Sequence, residues 1–191
     1  KPLVKTWNGP NGPVQVSVLY TPDYASNAEP VLQATIDSLD YFSKTLGGYP
    51  YGTATAVVPP YGADEAGGME YPTFFTADST SQDEPGTLGR FALDFVTVHE
   101  FGHGYFYGIL ASNEFEEPML DEGMNEYWDQ RMMSGRKQDL ILTTPFLRAL
   151  GIGTKLTPFD MERLGASLAD PADALGDNSW SRLSSGSYGT V

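Results

Sequence analysis

The chain has 191 residues and a formal net charge of -14 at pH 7. That length suits one domain with a real hydrophobic core, and the charge argues against nucleic acid or anionic lipid as partners, since binding either needs clustered Lys and Arg. Cysteine is absent, so neither a disulfide framework nor a thiolate metal site is available, and any metal must be held by histidine and carboxylate.

Val14, Val16 and Val18 alternate with Gln15 and Ser17 behind the turn residues Asn11-Gly12-Pro13, so the chain is expected to open with a half-buried strand. From Pro30, the apolar residues Leu32, Ile36, Leu39, Phe42 and Leu46 recur at helical steps, with Gly47-Gly48 as a stop. Thr53 to Val58 reads as a short strand closed by Pro59-Pro60. Residues 62 to 68 form a Gly-rich loop. Residues 69 to 76 read as one edge strand, because Pro72 cannot donate to a central ladder. Residues 78 to 87 follow as a polar loop.

Two longer helices are predicted at about Leu88 to Ala111 and Pro118 to Ser134, then shorter helical pieces around Thr144 to Leu150 and Asp160 to Leu168. There is no internal repeat, and no apolar run reaches the roughly 18 residues a membrane-spanning helix needs. The chain starts at Lys1 without an initiator Met and stops at Val191 without a closing helix. It is expected to be a soluble piece of a longer protein.

The two histidines of the chain stand four residues apart, in His99-Glu100-Phe101-Gly102-His103. Four residues of α-helix turn through about 400°, so both imidazoles leave nearly one face and can chelate a single tetrahedral ion, for which zinc is the expected metal. Glu100 lies about 100° round from His99, where it can address a water on that ion as a general base. Glu122, nineteen residues after His103, allows the chain one turn and return. Two His and one Glu leave the fourth zinc position open, as catalysis requires. Asp121 is expected to be solvated or to cap. Glu126 and Asp129 share the Glu122 face at plus four and plus seven, so either could orient a ligating imidazole or remain a surface acid.

These residues resemble the gluzincin aminopeptidases typified by aminopeptidase N, which carry His-Glu-x-x-His, eighteen intervening residues and a Glu. The counterpart of the segment around that Glu is Leu120-Asp121-Glu122-Gly123-Met124-Asn125, and Tyr105-Phe106 is similar to the aromatic pair after the second histidine. Upstream, Gly67-Gly68-Met69-Glu70-Tyr71 resembles the family's Gly-x-Met-Glu-Asn motif, with Tyr71 departing from Asn. On residues alone, Gly67-Gly68 suits either a plain turn or a close approach of backbone to ligand, and Glu70 alone suits a solvated charge.

The resemblance implies an α+β, thermolysin-like catalytic domain over 1–191, with a small N-terminal sheet, a mostly helical remainder, and residues 1–20 as the tail of a preceding β domain. It implies peptide substrates with a free N-terminus, whose α-amine Glu70 would grip beside Gly67, Gly68 and Met69. It also implies an oxyanion-stabilising tyrosine. Tyr188 lies at a compatible distance, but its context resembles the segment leading into that tyrosine, so the donor is either Tyr188 or, as the context favours, a residue beyond Val191, in which case this chain is expected to be weakly active at most. The rival readings are an endopeptidase or epoxide hydrolase of the same fold, and a non-catalytic scaffold.

Overall fold

The computed structural model describes residues 2–60, 62–63, 66, 68–113, 116–136, 139–157 and 160. The chain divides into two compact units, Lys1–Gly104 and a second beginning at Tyr105. The fold is α+β, with a mixed sheet and four α-helices among the described residues. No helix there is long and apolar enough to cross a membrane.

In the first unit a five-stranded sheet has the order β1-β2-β3-β5-β4. The strands are β1 (Leu3–Gly9), β2 (Gly12–Leu19), β3 (Thr53–Val57), β4 (Met69–Tyr71) and β5 (Phe74–Thr76). β1 and β2 form an antiparallel hairpin in which Gly9 opposes Gly12. Gly12 has a φ of 115°, a conformation that disfavours any side chain. β2 and β3 are parallel, and so are β3 and β5. Of the alternation expected, Val14, Val16 and Val18 are buried and Gln15 is exposed, but Ser17 is buried too.

The helix α1 (Ala28–Thr45) joins β2 to β3 and buries Val31, Leu32, Ile36, Leu39 and Phe42. It begins two residues before Pro30, which the first turn of a helix tolerates because its N–H would find no intrahelical acceptor. Gly47, at a φ of 130°, donates its N–H to the Phe42 carbonyl and stops the helix as expected.

Residues 69 to 76 are not one strand. Pro72 and Thr73 form a two-residue turn between β4 and β5, which pair antiparallel with Tyr71 opposite Phe74. Proline pre-sets the first turn position, and Thr73 takes a φ of 61°, unusual for a β-branched residue. The Thr73 carbonyl accepts from the Thr55 N–H at 2.9 Å.

The helix α2 (Leu88–Phe106) ends five residues earlier than expected, and a turn through Leu110 follows it. In the second unit the expected helix from Pro118 begins as a π-helical stretch, Met119–Gly123, before α3 (Met124–Arg136). Next come β6 (Leu140–Leu142), α4 (Pro145–Ala149) and β7 (Thr154–Leu156). β6 and β7 form an antiparallel pair that periodicity did not anticipate, since three-residue strands are too short to show a period. The helical piece expected at Asp160 to Leu168 lies outside the described residues, except Asp160.

Candidate metal centre and active site

The centre is built on α2. Thr87 caps its N-terminus: the Thr87 Oγ1 accepts from the Arg90 N–H at 3.2 Å and donates toward the Gln82 and Glu84 carbonyls at 2.7 Å. One turn on, Arg90 Nε meets the buried Asp94 carboxylate at 2.9 Å, and its other arm reaches the Asp83 carbonyl. The start of the helix is thereby tied to the loop before it. An Arg and an Asp four residues apart were a readable signal for this pair.

Further along, Phe101 fixes the depth at which the motif sits. Its ring stacks against Phe42 of α1 at 6.1 Å and against Tyr49 at 5.4 Å, and meets Phe75 of β5 edge-on at 6.3 Å. Tyr49 is itself held by its hydroxyl, which donates to the Thr53 carbonyl at 3.1 Å. Phe101 therefore gathers one aromatic ring from a helix, one from a loop and one from the sheet. Sequence reasoning treated it as a spacer in the motif and missed this role.

His99 and His103 leave α2 on the side roughly opposite Phe101, since two residues of helix turn through about 200°, and they and Glu100 are all buried as well. The two imidazoles are nearly perpendicular, at 86°, and their Nε2 atoms lie 3.1 Å apart. Two nitrogens about 2.05 Å from one tetrahedral ion would stand about 3.3 Å apart. The pair thus has the spacing of a chelate, and neutral imidazole suits zinc. Phe95, one turn before His99, lies parallel to its ring.

β4 brings the upstream motif to this helix within the same unit. Gly68 has a φ of 68°, and a β-carbon there would lie 3.3 Å from Glu100 Oε1. Glycine suits this position on both counts, a left-handed turn conformation and a close passage beside the Glu100 side chain. Gly67 lies outside the described residues. The register aligns Glu70 with Phe75, Phe75 with Ala56, and Ala56 with Val18. Directly paired residues share a face of a sheet, so Glu70 stands on the face whose Phe75 touches Phe101. Met69 and Tyr71 stand on the opposite face and are exposed, so among the described residues of the upstream motif Gly68 and Glu70 are the ones brought toward α2. β4 forms an edge of the sheet.

In the second unit Glu122 lies in the π-helical stretch and is half-buried. Such insertions recur at functional sites because they re-aim side chains within an otherwise helical run. Asp121 was expected to be solvated or to cap, and at 1% exposure it is not solvated. Glu126 and Asp129 are buried as well, and Gln130 Nε2 donates to Glu126 Oε1 at 3.2 Å. The surface-acid reading of Glu126 and Asp129 is thereby excluded. Among the described residues, side chains able to serve as metal ligands include His99, His103 and Glu122. Tyr188 lies outside the described residues.

No family model matches the chain, and no curated protein matches it in sequence. Its fold is similar to that in the crystal structure of Legionella pneumophila aminopeptidase A in complex with aspartic acid, with a TM-score of 0.56 and 14% sequence identity. The match covers 80% of this chain and 18% of that one, so the chain spans less than a fifth of its neighbour's length. At that identity the likeness is one of fold, an α+β arrangement that also occurs in an aminopeptidase.

Proposed function

We propose that the chain is the catalytic core of a zinc aminopeptidase with a thermolysin-like fold, in which His99, His103 and Glu122 hold the metal and Glu100 is the general base. The observation that carries the reading is the imidazole pair, buried, perpendicular and 3.1 Å apart at Nε2. A zinc ion there supplies Lewis acidity, which makes water a nucleophile at neutral pH and polarises a carbonyl. Glu100 takes a proton from the attacking water and delivers it to the leaving amine nitrogen.

Substrate recognition falls to the β4 edge. An extended peptide can pair with a free strand edge through its backbone, and Gly68 lets it approach Glu100 closely. Glu70 faces the substrate's α-ammonium, and Coulomb attraction in a partly desolvated cleft favours a free N-terminus over a blocked one. Met69 contributes backbone to the same edge. The remaining oxyanion donor is a tyrosine, Tyr188 or one beyond Val191, and lack of such a donor typically lowers turnover about 100- to 1000-fold.

Two variants test the reading in an enzyme extended to include that donor. Glu100→Gln is expected to lower hydrolysis of aminoacyl anilides by about 100- to 10,000-fold while zinc content stays at one per chain. Glu70→Ala is expected to impair free-amine substrates far more than N-acetylated ones. Undiminished turnover in Glu100→Gln would remove the general-base assignment, and equal losses on free and acetylated substrates would make Glu70 structural and favour an endopeptidase.

A further inference from the structure

The rings of Phe91, Phe95 and His99 form a ladder along α2 at steps of four residues. Phe91 and Phe95 have centroids 6.1 Å apart with planes at 14°, and Phe95 and His99 repeat the arrangement at 6.2 Å and 14°. Phe91 is buried, as a side chain that only filled the core would be. Phe95 is half-buried. It keeps part of its surface in solvent and still lays its face along the imidazole.

That contact acts on the rotation of the imidazole ring. Rotation about the bond joining ring to side chain is broad and roughly two-fold, and turning the His99 ring would move Nε2 away from His103 Nε2, now 3.1 Å distant. A parallel neighbour disfavours such rotation, because a stacked aromatic pair is worth more than its buried area alone. His103 has its own restraint in the perpendicular ring of His99. The ladder therefore sets the chelating orientation before an ion arrives.

We propose that Phe95 is a positioning residue that pre-orients His99 for the metal and so raises metal affinity without touching the ion. The inference rests on the proposed metal site at His99 and extends it to a residue outside the ligand set. Its signature is specific to a ring face: phenol can replace phenyl, whereas an aliphatic side chain of similar size cannot.

The test measures zinc affinity of the 191-residue chain by competition with a chromophoric chelator, each apo-variant first being shown folded by circular dichroism. Phe95→Ala and Phe95→Leu are expected to bind zinc roughly three- to tenfold more weakly than the parent, and Phe95→Tyr within twofold of it. His99→Ala is the reference and should lose tight binding. Retention of tight binding by His99→Ala would show that the metal site itself is misassigned. Loss in His99→Ala with parental affinity in Phe95→Leu would overturn the positioning role and leave the site standing. Weak binding by Phe95→Tyr, in a folded chain, would likewise overturn it. Should Phe95→Ala fail to fold, the Leu and Tyr variants decide the matter.

Discussion

The helix α2 and the stretch Met119–Arg136 both bury polar side chains, but they are held by different means. On α2 the buried polar groups alternate with Phe91, Leu93, Val98 and Phe101, and their local partners are visible: Arg90 for Asp94, and the Leu93 carbonyl, which accepts from Thr97 Oγ1 at 2.7 Å. From Met119 to Arg136, Asp121, Asn125, Glu126, Asp129 and Gln130 are buried before the first buried methionines, Met132 and Met133. Burying a carboxylate costs several kcal/mol unless donors or a cation compensate. The comparison teaches that α2 is anchored largely by apolar packing, whereas the acidic stretch depends more on its polar partners, the proposed metal included.

Metal removal is the strongest way to break that comparison. His103→Ala and Glu122→Ala are each expected to weaken zinc binding by more than about 100-fold, above the range typical of residues that only orient a ligand. Chelating the zinc should then reduce amide hydrogen-exchange protection across Met119–Arg136 more than across α2. Equal loss in both, measured by mass spectrometry, would mean that the histidines also need the ion to stay ordered. Parental zinc affinity in Glu122→Ala would remove it from the ligand set.

A core substitution sharpens the other half of the contrast. Phe101→Ala removes the ring shared by Phe42, Tyr49 and Phe75 and is expected to cost about 3–5 kcal/mol in denaturant unfolding of the apo-chain. Phe101→Leu keeps most of the volume and should cost less. A small loss for Phe101→Ala would show that α2 is held chiefly by its ends.

The smallest effect tests one of those ends. Thr87 supplies α2 with a side-chain cap, while the π-helical stretch begins after Pro118 with no side-chain cap hydrogen bond. Thr87→Ala is therefore expected to cost about 1 kcal/mol, read as a shift in unfolding midpoint at unchanged slope. No shift would mean that the Arg90 contacts to Asp94 and Asp83 suffice.

What could be read without coordinates was whatever depends on short-range periodicity. The alternation of Val14, Val16 and Val18, the apolar stripe of α1 with Gly47 behind it, and the four-residue spacing of His99 and His103 each follow from local backbone geometry, so each appears in the sequence. The expected edge strand from 69 to 76 failed at Pro72, because a two-residue turn and a strand end at proline look alike until pairing partners are known. The helix from Pro118 was recognised as helical, but a π-helical insertion leaves no compositional mark, so Asp121 was read from a regular helix as solvated or capping, while Asp129 stayed open between orienting an imidazole and lying on the surface.

Sequence alone thus determined that two imidazoles leave one helical face with Glu100 beside them, since 3.6 residues per turn requires it. Only the tertiary structure decided that Phe101 should pack among Phe42, Tyr49 and Phe75, that Gly68 should pass within a β-carbon's reach of Glu100, and that Glu70 should share a sheet face with Phe75. These are contacts between residues distant along the chain, such as Phe42, Phe75 and Phe101. They depend on strand register and packing depth, which no local pattern encodes.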